Sequence, residues 1–159
     1  QTPEEQQGES TDNREMVFSY DKLLLATGGT PRRLPFDDNQ IIYFRTVQDY
    51  QRLRALTEKK QRFAVIGGGF IGSEGAAALA INDKKVTMIF PEPGIGGLTF
   101  PADLALFLND YYRERGVDVL AGEIVSGVDE KENGELTLEM KSGQTVTVEA
   151  IVAGIGISE

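Results

Sequence analysis

Six residues near the middle of the chain, Gly67-Gly68-Gly69-Phe70-Ile71-Gly72, match G-x-G-x-x-G. The pattern alone is weak in a chain with 18 glycines among 159 residues, since an average protein already carries ~7% glycine. Its setting gives it weight. The apolar run Phe63-Ala64-Val65-Ile66 leads straight into it and reads as a buried strand. Ile71 to Ile81, which follows, is small and apolar enough for a tightly packed helix. In that context each glycine has a task. Gly67 permits the tight strand-to-helix turn, Gly69 lets a pyrophosphate approach the backbone, and Gly72 lets the helix pack close on the strand. The N–H groups of the first helical turn, with the helix dipole, then hold the anion. Gly68 and Ile71 ride in the same loop. The alternative is a close-packed turn that holds no ligand.

Glu92 is the second element, 20 residues after Gly72 and at the end of the next apolar run. An acid there accepts hydrogen bonds from the hydroxyls of an adenosine ribose. It favours NAD, because the 2′-phosphate of NADP would meet like charge, and no arginine stands between 93 and 100 to compensate. The competing reading is a surface acid between Pro91 and Pro93. Glu74, near the start of the helix, reads by itself as a dipole-complementing acid. Phe70 reads by itself as an aromatic staple against the helix.

The residues that are missing narrow the chemistry further. With no Cys and no His, these residues supply no Cys/His zinc site, thiol nucleophile or Ser-His triad. The net charge of −9 disfavours nucleic acid and anionic membrane surfaces. The longest weakly polar run, Val65 to Ile81, carries Glu74 and is too short to span a bilayer.

These residues need a frame. Gln1 to Glu15 holds five acids and one arginine and reads as an acidic linker without a secretory signal. The chain opens there without an initiator Met, which suggests a piece of a longer protein. Leu23-Leu24-Leu25-Ala26 is an apolar run suited to a buried strand, and Pro31 and Pro35 then enforce irregular chain. Thr46-x-x-Asp49 resembles a capping box ahead of Val47, Tyr50, Leu53 and Leu56 at helical spacing. Val86 to Phe90 is a strand. Ala102 to Arg115 is a helix with Leu104, Phe107, Leu108, Tyr111 and Tyr112 on one stripe, stopped by Gly116, and Val117 to Leu120 is a strand.

The period then changes to two. Glu123 to Asp129, Leu136 to Met140 and Thr145 to Val148 form a three-stranded antiparallel meander, with Asn133-Gly134 and Ser142-Gly143 at the turns. Ile151-Val152-Ala153 returns as a buried strand. The expected fold is α/β: a Rossmann-like parallel sheet with helices on both faces and the meander as one crossover.

The combination of Ala26-Thr27-Gly28, Val65 to Glu74, Phe90-Pro91-Glu92 and Gly154-Ile155-Gly156, in that order, resembles the NAD-binding domain of the pyridine nucleotide–disulfide oxidoreductase superfamily. Within it the chain resembles apoptosis-inducing factor and ferredoxin-reductase-like flavoproteins, over about residues 17 to 157. The resemblance implies three parts: residues 1–15 as linker, 16–33 as the edge of an FAD domain with the crossover strand, and 34–159 as the NAD-binding domain. It implies that Gly67 to Gly72 hold NAD pyrophosphate, with Phe70 and Glu74 at the nicotinamide end, Glu92 at the ribose and Gly156 behind the nicotinamide. Thr27 and Gly28 would lie where the two domains cross, and Arg45 would touch FAD. There are departures. Leu98 stands where apoptosis-inducing factor carries a basic residue, and Ser158-Glu159 stands where the family has Pro-Asn. The glycine loop expected for FAD is not among these residues.

The function implied is an NADH-dependent flavoprotein oxidoreductase that moves hydride from NADH to FAD and electrons on to an unidentified acceptor. Its partners are NADH, the FAD-binding domain of the same chain and that acceptor. The alternatives are an NADH-sensing signalling module with slow turnover, and a disulfide reductase whose cysteines lie upstream. The expected compartment is the cytoplasm, with the mitochondrion as the alternative that the resemblance implies.

Overall fold

The computed structural model describes residues 18–36 and 39–158; the acidic stretch 1–15 lies outside them. Ten strands and three helices follow in the order β1 (Thr30–Pro31), β2 (Ile41–Tyr43), α1 (Val47–Thr57), β3 (Arg62–Ile66), α2 (Phe70–Ile81), β4 (Lys85–Phe90), α3 (Ala102–Arg113), β5 (Val117–Ala121), β6 (Val125–Glu130), β7 (Leu136–Met140), β8 (Thr145–Val148), β9 (Ala150–Ala153) and β10 (Ile157–Ser158).

Five of the strands form one parallel sheet in the order β2-β9-β3-β4-β5. A strand inside such a sheet is covered on both faces, so its sequence is apolar throughout rather than alternating. β3 shows how the two faces divide. Phe63 and Val65 point into one core, with Ala76 and Leu79 of α2 and Val86, Met88 and Phe90 of β4. Ala64 and Ile66 point into the other, with Leu136, Leu138 and Met140 of β7. Each large side chain buried in this way contributes about 1.5–3 kcal/mol.

The Rossmann-like frame is present, but all three helices pack on one face and the meander β6-β7-β8 covers the other. The handedness of crossovers explains why the helices do not divide between both faces. The connections β2→β3, β3→β4 and β4→β5 all advance in one direction across the sheet, so right-handed crossovers place α1, α2 and α3 on the same side. The return from β5 to β9 runs the opposite way and its crossover must lie on the opposite side. That crossover is the meander.

Local chemistry sets several boundaries. Thr46 caps α1 by accepting the Asp49 N–H, and Asp49 answers by accepting the Thr46 N–H at 2.7 Å, which completes the box. Burial pushes the Asp49 carboxyl up, but hydrogen bonds from the Thr46 backbone and side chain and the Arg45 backbone hold it below its usual range. Gly116, at φ +82°, reverses the chain beyond α3.

Three readings of the sequence change. Leu23-Leu24-Leu25-Ala26 is not a buried strand: Leu24 is 89% exposed, and among the described residues no strand lies beside it. β2, hidden behind two prolines and only three residues long, is a fully buried strand paired with β9. Three of the five residues on the α3 stripe, Leu104, Phe107 and Tyr111, are exposed, while Ala105 and Asn109 are buried.

Candidate functional site

The carboxyl ends of β3, β4 and β9 converge on the glycine turn. Gly67 leaves β3 at φ +114°, and its N–H donates to the Ile89 carbonyl at the end of β4 at 2.9 Å. From β9, the Gly154 N–H donates to the Ile66 carbonyl at 2.9 Å. A β-carbon on Gly67 would run into the Gly154 carbonyl, and one on Gly72 would run into the Gly67 carbonyl. A β-carbon on Gly154 would stand 2.9 Å from the Gly72 nitrogen. These three glycines interlock backbone against backbone, so their absent side chains serve the turn itself. Gly68 is similarly confined, here by the Phe90 ring.

Gly69 is the exception. It is the N-cap of α2, at φ −79° and ψ −171°, a conformation open to any residue. Apart from its own backbone and its chain neighbours, no atom lies within 4 Å of where its β-carbon would stand. No side chain caps the helix, so the N–H groups of its first turn, which have no intrahelical acceptors, face a space that the protein itself leaves open. Positive partial charge and room to approach are what a pyrophosphate requires.

Around this centre the other candidates take up distinct positions. Phe70, the first residue of α2, is 58% exposed and packs edge-on against Phe100 at 5.8 Å between ring centroids. The two rings border a crevice of about 200 Å³ that also reaches Gly69, Ser73 and Thr99. Glu74 lies in the second turn of α2, since the first turn holds no acid. Dipole stabilisation fades beyond the first turn, so that reading of Glu74 loses its basis. Glu74 instead lines a cleft of about 540 Å³ between α1 and α2, together with Ile71, Tyr50 and Arg54.

Ile71 also reaches a small crevice that it shares with Arg45 and Gly156. Gly156, at φ +91°, accepts the Arg32 N–H at 3.0 Å. Arg45 is exposed, with its backbone N–H tied to Asp49. Glu92 is half-buried two residues past β4, and its carbonyl accepts the Gly122 N–H at 3.0 Å from the turn after β5. Thr27 and Gly28 line none of these clefts. They lie in the exposed stretch before β1, which pairs antiparallel with β10.

The sequence profile of the pyridine nucleotide-disulphide oxidoreductases matches residues 3–159. The chain belongs to this family. It is 38% identical over 149 residues to the peroxisomal monodehydroascorbate reductase 1 of Arabidopsis thaliana, covering 88% of this chain and 34% of that one. It is 37% identical over 150 residues to the mitochondrial apoptosis-inducing factor 1 of Dictyostelium discoideum, covering 89% and 28%. The fold is similar to that of the water-forming NADH oxidase from Lactobacillus brevis bound to NADH, at a TM-score of 0.78 and 27% identity over 87% of this chain and 31% of that one. The chain thus spans about a third of the length of these proteins. Among the described residues no helix is long and apolar enough to cross a membrane.

One feature of this pyridine nucleotide-disulphide oxidoreductase domain has no counterpart in the motifs. Asn109 is the single buried polar side chain among the described residues, at 3% exposure. Its Oδ1 accepts the Ile95 N–H at 3.0 Å, and its Nδ2 donates to the Pro93 carbonyl at 2.8 Å. The available signal was an asparagine four residues after Ala105 on the buried side of an amphipathic helix, where an apolar residue belongs.

Proposed function

We propose that residues 34–159 are the NADH-binding domain of an FAD-dependent oxidoreductase that takes hydride from NADH onto FAD and passes electrons to a further acceptor. Residues 16–33 then belong to the edge of the FAD domain and the crossover into this one. The observation that carries the reading is the contrast inside the glycine turn. Gly67 and Gly72 are small because backbone fills the space beside them and Gly68 because the Phe90 ring does, whereas Gly69 is small beside a space left open at an uncapped helix start. A turn built only for packing has no use for the fourth.

In this reading Gly67 to Gly72 shape the pyrophosphate seat, and the first-turn amides of α2 donate to it. Glu92 accepts from the adenosine ribose. Phe70, Glu74 and Gly156 border the nicotinamide end, while Arg45, Thr27 and Gly28 face the flavin side. Hydride chemistry is supplied by the bound cofactors, and the chain's own side chains bind, orient and exclude water. That division of labour accords with a site without Cys or His. Family membership, and a similar fold captured with NADH in the Lactobacillus brevis oxidase, support it.

The test is Gly69→Val. The backbone there suits any residue, and no protein atom is in the way, so the variant is expected to fold with a midpoint within a few degrees of wild type. Its β-branched side chain fills the pyrophosphate space, and NADH affinity by calorimetry is expected to fall by about a hundredfold or more. Undiminished affinity would mean that the turn holds no phosphate. These 159 residues are also expected to purify colourless, because they lack a second glycine loop for FAD; stoichiometric flavin absorbance would overturn that part.

A further inference from the structure

The connection from Pro91 to Pro101 joins β4 to α3 and touches the glycine turn at two points. Gly96 donates its N–H to the Gly68 carbonyl at 2.7 Å, and Phe100 meets Phe70 edge-on. The Gly68 carbonyl and the Gly69 N–H belong to one planar trans peptide and point in opposite directions, so holding the carbonyl fixes the direction of the N–H. The residue next to Gly96 is Ile95, and its N–H ends on the Asn109 side chain. The other bond from Asn109 reaches Pro93, next to Glu92. One amide on α3 is therefore tied, through a few backbone bonds, both to the glycine turn and to the backbone beside Glu92.

We propose that Asn109 is a positioning residue for the dinucleotide: by pinning Pro93 and Ile95 it sets the Gly68–Gly69 peptide at the pyrophosphate and the backbone that carries Glu92 at the ribose. The proposal rests on the NADH reading. A buried polar group costs free energy unless it is bonded, and this amide is bonded to two loop groups, the Ile95 N–H and the Pro93 carbonyl, that an apolar side chain of similar size would leave unpaired. Asn109 returns its cost as geometry, because both halves of its amide are spent on successive loop groups and no buried side-chain polar atom among the described residues is left unpaired.

The experiment titrates NADH and ADP-ribose separately into wild type, Asn109→Leu, Asn109→Asp and Val119→Ala, and records a melt for each. Asn109→Leu keeps the bulk and loses both bonds; it is expected to weaken both ligands by about tenfold or more, since both carry the adenosine and pyrophosphate. Asn109→Asp keeps the acceptor for Ile95 and with it the hold on Gly96, so it is expected to bind better than Asn109→Leu. Val119→Ala opens the same core from β5 without removing either Asn109 bond, and is expected to lower the midpoint while leaving both affinities unchanged. Should Asn109→Leu not melt cooperatively, Asn109→Ser, which leaves room for water beneath the loop, reads the same loss. Wild-type affinity in Asn109→Leu or Asn109→Ser, or an equal loss in Val119→Ala, would overturn the positioning role. Wild type binding neither ligand is a separate result and would overturn the NADH reading itself.

Discussion

Two apolar runs of four residues, Leu23 to Ala26 and Phe63 to Ile66, have opposite fates. In the second, β4 and β9 flank the strand and exposure nowhere exceeds 5%. In the first, Leu23, Leu24 and Leu25 are 57–89% exposed. Composition states that a segment favours burial, but burial needs a neighbour, and only the second run has one among the described residues. In the proposed reading the exposed run lies at the flavin boundary, where the FAD domain would cover it.

The largest test of that contrast is a matched pair of charges. Val65→Asp puts a carboxylate into the core beneath the helices and is expected to abolish the cooperative melt, because an unpaired buried charge costs several kcal/mol. Leu24→Asp is expected to shift the midpoint by no more than about 1–2 °C, as exposed substitutions do. A large loss from Leu24→Asp would show that the segment packs against this domain.

Next in size is Glu92. At an effective dielectric near 20, two unit charges about 4 Å apart repel by about 4 kcal/mol, and screening at a half-exposed site reduces this to ~1.5–3 kcal/mol. Wild type is therefore expected to prefer NADH to NADPH by about 10- to 100-fold. Glu92→Ala is expected to bring the two dissociation constants towards parity and Glu92→Arg to reverse them. An unchanged ratio in Glu92→Ala would reduce Glu92 to a loop acid.

A smaller effect than at Val65 or Glu92 is expected at Glu149, at the far end of the buried run. Its carboxylate accepts the backbone N–H groups of Gln61 and Arg62, at 3.0 and 2.9 Å, where β3 begins. Those bonds, aided by the Arg62 guanidinium, hold its carboxyl below the usual range. A lowered carboxyl pKa stabilises above the usual glutamate range, and that contribution disappears as pH falls through the lower folded value. Glu149→Gln is expected to melt about 2–4 °C below wild type at pH 7, with the gap closing as pH falls below the usual glutamate range. A gap independent of pH would assign the effect to shape rather than charge.

Where sequence was a good guide, the determinants were local. Thr46 and Asp49 satisfy each other within one turn, the meander alternates with the pleat, and Gly72 is small because Gly67, five residues earlier, stands beside it. The features it missed depend on contacts far along the chain. β2 is a strand because β9, more than a hundred residues later, supplies its hydrogen bonds. The common face of the helices follows from strand order, which no segment encodes alone. At the site the motif named six loop residues, yet their different duties emerge only from what stands beside each absent β-carbon. Asn109 was hidden because its partners are backbone groups, which leave no mark in a motif.

The pairing of Thr30–Pro31 with Ile157–Ser158 means that the chain enters and leaves through one doorway. Antiparallel neighbours stand about 5 Å apart, so everything between them is a closed excursion whose two ends nearly touch. Such a unit is portable. It can be set into a surface loop of an unrelated host, or joined end to end and reopened at the Asn133-Gly134 turn, without stretching the fold, because the distance to be bridged is that of a single turn.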